Sequence, residues 1–192
     1  RALTINVGKG TVSGVTDAGA TGLTINTTGA VTALGTVTTA LATDVTINAN
    51  DAISSGTVAA AAATTVSIDG DSLATVDLST KSTAAVTLSG SAGFKDVTTG
   101  TFASFTNSST GASTLGATTS TAGLGTSATY AGGSGVDKVT FGAQTKAQTL
   151  GAGNDTAYLT GSALGTGGSI DAGAGTDTLG LTTANAVTAS AN

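Results

Sequence analysis

A four-residue pattern of alternating apolar and polar positions recurs along the first half of the chain. Its first copy is Leu3-Thr4-Ile5-Asn6, and each later copy again reads apolar, hydroxyl, apolar, polar. Alternation of this kind is typical of a half-buried β-strand, whose successive side chains point to opposite faces. The later copies follow at intervals of 20 to 22 residues and begin at Leu23, Val45, Val66 and Val86. The pattern therefore predicts one such strand in every turn of a repeating structure.

The repeat also predicts which side chains stack on one another. The third residue of each copy points inward, which gives an apolar column of Ile5, Ile25, Ile47, Ile68 and Leu88. The second residue points outward, which gives a hydroxyl ladder of Thr4, Thr24, Thr46, Ser67 and Thr87. A second inward column follows a few residues later and consists of Val12, Val31, Ile53, Leu73 and Phe94. Glycine, asparagine and aspartate, the usual turn formers, lie between the columns.

These features predict an all-β fold, a parallel β-solenoid or β-helix of about 20–22 residues per coil, in which each coil contacts only its neighbours. Solenoid coils with Asn and Asp turns occupy residues 1–111, residues 112–127 form an irregular coil or loop, and glycine-rich coils occupy residues 128–192. We expect one continuous solenoid, with the first inward column extended by Tyr130, Leu150 and Ile170. The chain starts and stops in mid-pattern, so we expect it to be a fragment of a longer protein.

Residues Gly132 to Val139 match every specified position of a nine-residue calcium-binding pattern, Gly-Gly-x-Gly-x-Asp-x-apolar-x. Glycines let the backbone turn sharply and direct its carbonyl groups inward. A carboxylate then completes an all-oxygen ligand set, which is what Ca²⁺ needs. The candidate ligand residues of this loop are Gly132, Gly133, Gly135 and Asp137. One loop cannot surround an ion, so a second loop has to lie against it.

Two further glycine-rich loops follow at the spacing of a coil. Asp155 comes eighteen residues after Asp137, and Asp177 comes twenty-two residues after Asp155. Both loops depart from the pattern at their first position, where Leu150 and Ala172 replace glycine. The candidate ligand residues are Gly151, Gly153, Asn154 and Asp155 in the second loop, and Asp171, Gly173, Gly175 and Asp177 in the third. The sequence therefore predicts Ca²⁺ ions along one edge of the coil stack.

Three earlier aspartates resemble parts of degenerate ion loops. Asp51 ends a segment similar to the second glycine-rich loop, while Asp69 and Asp71 place two carboxylates around a glycine. The same residues are equally explained as turn formers that satisfy backbone groups. Both interpretations stay open at the level of sequence.

The composition narrows the classes of function. The 192 residues include no His, Cys, Pro, Met, Trp or Glu, and only 9% are charged. General acid–base chemistry would fall on Asp and Lys alone, so we expect no enzyme activity in this chain. A net charge of −5 argues against nucleic-acid binding, which depends on basic contacts to phosphate. No uninterrupted apolar run approaches the length of a membrane span, so we expect no membrane insertion.

The glycine-rich nonapeptides resemble those of the RTX proteins that Gram-negative bacteria secrete. The remaining Thr-, Ala- and Gly-rich chain is similar to RTX-type surface-layer (S-layer) proteins, in particular the calcium-dependent ones of caulobacters. This resemblance implies RTX-like calcium-binding β-roll coils over residues 128–192, export by a type I secretion system and a location at the cell surface. It also implies self-assembly into a two-dimensional lattice that is held on lipopolysaccharide through other parts of the parent chain.

RTX loops occur in other classes of protein as well, so two alternatives stay open. The chain is then part of a calcium-dependent adhesin or ice-binding solenoid that uses its threonine ladder, or it is the non-catalytic repeat region of a secreted RTX hydrolase. Flat ice-binding faces usually carry two parallel threonine columns, whereas this chain has one threonine column flanked by asparagine.

Overall fold

The computed structural model describes residues 1–98, 100, 102–117, 121–160 and 164–182. Twenty-one β-strands account for the regular structure of this part of the chain, which contains no helix and therefore none long and apolar enough to cross a membrane. The strands are β1 Ala2–Val7, β2 Gly10–Val12, β3 Val15–Thr16, β4 Gly22–Thr27, β5 Val31–Thr38, β6 Asp44–Ala49, β7 Gly56–Ala60, β8 Thr65–Gly70, β9 Leu73–Thr75, β10 Asp77–Thr80, β11 Ala85–Leu88, β12 Gly93–Asp96, β13 Ser104–Asn107, β14 Ser113–Ala117, β15 Thr121–Ala122, β16 Thr129–Ala131, β17 Asp137–Phe141, β18 Ala147–Thr149, β19 Thr156–Leu159, β20 Ser169–Asp171 and β21 Thr178–Leu181.

The strands form a parallel β-solenoid of about 8 turns, with about 21 residues per coil. One nine-stranded sheet runs the whole length in the order β1-β4-β6-β8-β11-β13-β16-β18-β20. A five-stranded sheet contains β2, β3, β5, β7 and β10, and a seven-stranded sheet contains β9, β12, β14, β15, β17, β19 and β21. Every pair in the nine-stranded sheet is parallel, because each coil returns to the start of the next strand in the same direction. The predicted fold class is confirmed.

The two columns predicted from the tetrapeptide repeat are confirmed residue by residue. Ile5 pairs with Ile25, and the register continues through Ile47 and Ile68 to Leu88. Four of these five side chains are buried, and Ile5 is half-buried in the terminal coil. The hydroxyl ladder faces outward in the same register and gains Thr106 of β13 as a sixth member.

The second inward column was predicted correctly at Val31, Ile53 and Phe94 and wrongly at Val12 and Leu73. Val12 pairs with Leu34, while Gly10 lies opposite Val31. Val31 bridges to Ile53 and Ile53 to Ala74, which pairs with Phe94. Leu73 was wrong as a member, because it lies one residue away and is 44% exposed. Alanine occupies the inward position in that coil, and its small side chain gives a weak signal in the sequence. Phe94 is fully buried and supplies the volume that Ala74 does not.

The predicted extension of the first column was right for Leu150 and wrong for Tyr130 and Ile170. Leu150 follows Thr149, which is joined through Ala131 to Thr106, so it lies in the register of Leu88 and is fully buried. Tyr130 pairs with Phe105, which pairs with Val86, so it belongs to the column that begins at Leu3. Ile170 lies in that column too, opposite Gln148. The spacing misled because a shift of two residues keeps a side chain on the same face of a strand.

The segment 112–127, predicted to be irregular, contains regular structure. Strand β14 pairs with β12 and β17 in the normal parallel register. Strand β15 pairs with the end of β14 in antiparallel direction. Residues 118–120 of this segment, residues 161–163 of the insertion before the third loop, and residues 183–192 of the last predicted region lie outside the described residues.

Three aromatic rings mark the middle of the core. Phe94 stacks on Phe105 at 5.6 Å between ring centroids, and Phe105 stacks on Tyr130 at the same distance. All three are buried. This stack joins the apolar coils before it to the glycine-rich coils after it, and the candidate site begins where it ends.

Candidate metal centre

The three glycine-rich loops lie on top of one another at one corner of the solenoid. They connect β16 to β17, β18 to β19, and β20 to β21, so each passes from the nine-stranded to the seven-stranded sheet. Backbone hydrogen bonds join successive loops. Ala152 N donates to Gly133 O at 2.8 Å, and Ala174 N donates to Gly151 O at 2.9 Å. The predicted stacking of the loops is therefore present.

The glycines of the second and third loops repeat the same backbone conformation. Gly151 and Gly173 have φ of 94° and 89°, and Gly153 and Gly175 have φ of 144° and 142°. Side-chain-bearing residues rarely adopt these values. A Cβ at Gly173 would also overlap the Gly151 carbonyl, so the close approach of the loops requires glycine as well. The carbonyl groups of one loop consequently lie directly against the next.

The three aspartates of the loops form a continuous column. Asp137 N donates to Asp155 Oδ1 at 2.8 Å, and Asp155 N donates to Asp177 Oδ1 at 2.9 Å. Each carboxylate thus reaches back to the backbone of the preceding coil. Asp137 and Asp155 are 0% and 1% exposed, and Asp177 is half-buried in the terminal described coil.

One oxygen of each buried carboxylate has no partner. Asp137 Oδ2 and Asp155 Oδ2 are buried and accept no hydrogen bond from the described residues. A buried charged oxygen without a partner costs several kcal/mol, and native proteins rarely tolerate one. Gly132 borders this free oxygen. A Cβ added to Gly132 would lie 2.6 Å from Asp137 Oδ2 and would overlap the Leu150 carbonyl. A free carboxylate oxygen and a backbone carbonyl therefore face the same small space.

Burial raises the pKa of Asp137 and that of Asp155 above the usual aspartate value. The hydroxyl groups of Ser113 and Tyr130 partly lower the pKa of Asp137, while the neighbouring Asp155 carboxylate raises it. For Asp155 the backbone N–H of Asp137 lowers the pKa, and the Asp177 carboxylate raises it. The column without a counter-ion is thus an unfavourable place for negative charge.

The donor set fits a hard divalent cation. Carboxylate and backbone carbonyl oxygens are the ligands that Ca²⁺ takes, at 6 to 8 per ion. No cluster of three or more His, Cys, Asp or Glu side chains that could hold a metal exists among the described residues. A carboxylate-only cage is therefore excluded among these residues, and an ion here would need carbonyl oxygens to complete its ligand set. The residues that would hold the ion are Asp137, Asp155, Asp177 and the glycines of the three loops.

Leu150 and Ala172 stand at the first position of their loops, where the pattern has glycine, and the structure explains both. Leu150 is fully buried and has its side chain in the core. Its N–H donates to Asp171 O at 2.9 Å, as Gly132 N donates to Thr149 O at 2.8 Å in the loop before. Neither Leu150 nor Ala172 has positive φ. The first position does not need glycine in these two loops, so their departure from the pattern leaves the loop geometry intact.

The other predicted site residues have local roles in the structure. Asn154 Oδ1 accepts from Thr176 N at 2.9 Å, and Asp171 Oδ1 accepts from Gly173 N at 3.0 Å. Asp69 Oδ1 accepts from the next backbone N–H, that of Gly70, at 2.8 Å. Asp71 is exposed and accepts from Ser72 Oγ at 3.2 Å. These contacts are those of turn residues, and none places the side chain in the aspartate column.

Asp51 is held through its backbone. Its N–H donates to Thr27 Oγ1 at 2.9 Å, and its carbonyl accepts from the same hydroxyl at 2.8 Å. A related feature lies beside it on the outer face, where Asn48 donates to Asn26 at 2.6 Å and Asn26 to Asn6 at 2.8 Å. The early coils therefore carry a ladder of amide side chains on this outer face, at a register position different from that of the aspartate column.

The sequence analysis missed the residues that border the column. Ser113 pairs in register with Asp137, and Asn107 Nδ2 donates to Asp137 Oδ1 at 3.1 Å. Tyr130 was assigned only to the core. The available signal was weak: Asn107 to Ser113 is a Ser-rich turn of similar length to the glycine loops, but it contains a single glycine.

Together, the fold and this corner define a parallel β-solenoid with stacked glycine-rich loops and a buried aspartate column. Comparisons of the chain with protein-family models, with curated proteins and with solved structures found no match. The functional assignment therefore rests on the geometry and on the sequence motifs alone.

Proposed function

We propose that this chain is a calcium-stabilised structural solenoid, part of a secreted protein that assembles into a cell-surface layer. The observation that carries the calcium part is the pair of buried, unpartnered oxygens, Asp137 Oδ2 and Asp155 Oδ2. Each belongs to a carboxylate whose other oxygen is already bonded. A cation beside the free oxygens would remove the cost of burying two like charges in one column.

Calcium would act here as a structural ligand. Asp137, Asp155 and Asp177 would hold it together with carbonyl groups of the adjoining loops, which ties one coil to the next. With a Kd on the order of 0.1 mM, typical of extracellular modules, about 1 mM Ca²⁺ stabilises the fold by roughly 1.4 kcal/mol per site. Folding of the glycine-rich coils would then depend on the calcium level around the protein.

The surface-layer part rests on the resemblance of the motifs and composition to RTX-type S-layer proteins. A solenoid without cysteine and with 9% charged residues suits a repetitive extracellular coat. The lattice would be made of copies of the parent chain, and lipopolysaccharide would be bound by other parts of it. An acidic chain with a net charge of −5 also repels its copies unless cations lie between them.

Two measurements test the proposal. Calorimetric titration of the chelator-treated chain with Ca²⁺ is expected to show saturable binding, which the triple variant Asp137→Asn, Asp155→Asn, Asp177→Asn loses. Electron microscopy of the parent protein is expected to show ordered sheets in about 1 mM calcium and none after chelation. A chain that binds no calcium, or sheets that persist unchanged in chelator, would contradict the proposal.

One observation favours a second candidate, an adhesin or ice-binding solenoid. The outward hydroxyl ladder runs in register over six consecutive strands, from Thr4 to Thr106. Regular columns of hydroxyl groups on a flat sheet can order water. The neighbouring column holds Asn6, Asn26, Asn48 and then Asp69, so the regular part of the face is short. Thermal hysteresis or inhibition of ice recrystallisation by the chain, lost on Thr24→Val with Thr46→Val, would establish this candidate.

A further inference from the structure

The aspartate column stops at Asp137, and the coil before it closes the column with neutral groups. Asp137 Oδ1 accepts from Ser113 Oγ at 2.8 Å, from Asn107 Nδ2 at 3.1 Å and from Ser113 N at 3.2 Å. These donors take the place that the backbone N–H of the preceding aspartate has farther along the column. Oδ1 is fully engaged, while Oδ2 of the same carboxylate has no partner.

Tyr130 is the member of this network that lies farthest from Asp137 along the chain of hydrogen bonds. Its hydroxyl is hydrogen-bonded to Ser113 Oγ, so the two hydroxyl groups form a relay that ends on Asp137. The ring stacks on Phe105, and the whole residue is 1% exposed. Ser113 and Asn107 are 0% and 3% exposed. Four polar side chains are thus buried together at the point where the apolar coils meet the glycine-rich ones.

The apolar core does not require this network. At the same column position the preceding coils use Val31, Ile53, Ala74 and Phe94, and they need no hydrogen bonds there. Burying polar groups costs free energy unless every group is satisfied, so their presence at this one boundary calls for a reason. The geometry supplies one, because the network fixes the rotation of the Asp137 carboxylate.

We propose that Asn107, Ser113 and Tyr130 are positioning residues for the first cation site. They hold Oδ1 of Asp137 and leave Oδ2 facing the glycine loop and the Leu150 carbonyl. The first site is thereby preformed, and the column of sites starts at Asp137 and not one coil earlier. This inference rests on the calcium binding proposed above.

The arrangement also makes Tyr130 a sensor of the first site. Neutralising Asp137 changes the electrostatic field at a buried hydroxyl that is linked to it through one serine. The chain has two tyrosines and no tryptophan, so Tyr158→Phe leaves Tyr130 as the sole tyrosine chromophore. We expect its near-ultraviolet circular dichroism and fluorescence to change along the calcium titration curve.

The test compares four variants in the Tyr158→Phe background. Tyr130→Phe keeps the ring and removes the hydroxyl, and Ser113→Ala breaks the relay. Ser113→Thr restores a hydroxyl and serves as the rescue. Ser109→Ala is the matched control, because Ser109 is equally buried in the same turn but its hydroxyl donates to Ala92 O at 2.7 Å and not to Asp137.

Calcium affinity is measured by calorimetry in all four, and by the Tyr130 signal where the tyrosine is present. Losing one hydrogen bond to a charged group corresponds to a change of about tenfold. We therefore expect Ser113→Ala to weaken the first site by about tenfold. Tyr130→Phe, which loses a bond to the neutral Ser113 hydroxyl, should weaken it by less, and Ser113→Thr should stay close to the parent. Ser109→Ala should lower the melting temperature in chelator without changing the affinity.

Two outcomes would overturn the inference in distinguishable ways. If the parent chain binds calcium but Ser113→Ala and Tyr130→Phe bind it as tightly, or no more weakly than Ser109→Ala, the positioning role is wrong and the calcium function stands. If the parent chain binds no calcium at all, both the function and the positioning role fall together. A Tyr130 signal that stays constant through a saturating titration would contradict the sensor role.

Discussion

The coils before Ser113 and those after it build the same corner of one solenoid from opposite chemistry. In the early coils the column consists of Val31, Ile53, Ala74 and Phe94, all buried and apolar. In the later coils the same register position holds Ser113, Asp137, Asp155 and Asp177. The backbone path is shared, so the parallel ladder alone does not require either chemistry.

The difference shows where each region gets its stability. An early coil is stabilised by burying apolar side chains, which contributes about 25 cal/mol of free energy per Å² of apolar surface and needs no ion. A late coil places glycine and aspartate at the corner and therefore buries less apolar surface there. Each of the two coils that bury Asp137 and Asp155 leaves one carboxylate oxygen unpaired unless a cation binds. The first region should fold without added ions, and the second should depend on them.

The largest effect is expected from Leu150→Gly, which restores the glycine of the sequence pattern. Leu150 is fully buried, so its loss opens a cavity in the core of a late coil. We expect the free energy of unfolding to fall by about 3–5 kcal/mol, from the cavity and the added backbone freedom. Urea unfolding in calcium measures this. Ala172→Gly is the control and should cost about 0.5–1 kcal/mol, and a tighter calcium site in Leu150→Gly would show that the motif outweighs the core.

Chelation should separate the two regions. With about 1 mM Ca²⁺ and a Kd on the order of 0.1 mM, removing the ion from two sites should lower the free energy of unfolding by roughly 3 kcal/mol. Only the late coils should lose this stability. Hydrogen exchange read by mass spectrometry should lose protection over residues 129–182 in chelator, while residues 1–98 keep theirs. Equal loss in both regions, or none in either, would remove the distinction between them.

A single member of the column should have a smaller effect. Asp155→Asn removes one negative charge and one ligand oxygen from the buried column. We expect the difference in unfolding free energy between calcium and chelator to shrink by roughly 1.4 kcal/mol, the contribution of one site. Asp71→Asn is the matched control, since Asp71 is exposed and outside the column, and it should change stability by no more than about 0.5 kcal/mol.

The smallest effect is a dependence on pH that changes sign with calcium. Burial raises the pKa of Asp96 in the early region, as it raises those of Asp137 and Asp155 in the late one. A pKa raised by folding gives stability that is present below the unfolded value of about 3.9 and is lost as the pH rises through the folded value.

In chelator, therefore, the melting temperature of both regions should fall as the pH rises from about 4 toward 7. In saturating calcium the late region should reverse this trend, because protons compete with the ion for Asp137 and Asp155. The early region should not reverse, since Asp96 has both oxygens bonded to Leu78 N and to Thr98. Melting curves at several pH values, followed by the Tyr130 signal and by far-ultraviolet circular dichroism, test the difference.

The sequence by itself determined the repeating architecture. The copies of Leu-Thr-Ile-Asn carry strand periodicity and coil spacing together, so the inward column from Ile5 to Leu88 could be predicted residue by residue. The three loops ending in Asp137, Asp155 and Asp177 were equally legible as stacked loops, because their close approach demands glycine. These are local requirements, and they leave a direct trace in residue type.

The tertiary structure decided which residues of consecutive coils pair with each other. Partners in the nine-stranded sheet are 18 residues apart at Ala131 and Thr149, but 25 apart at Ser104 and Thr129. Because the spacing varies, the sequence does not fix the register to within two residues. A shift of two residues keeps every side chain on the same face of the strand, so the alternation pattern could not reveal that Tyr130 belongs to the neighbouring column. The same uncertainty hid the contacts of Asn107, Ser113 and Tyr130 with the start of the aspartate column. Those residues are distant in sequence and meet only because the coils stack, so their role is a property of packing and not of any local pattern.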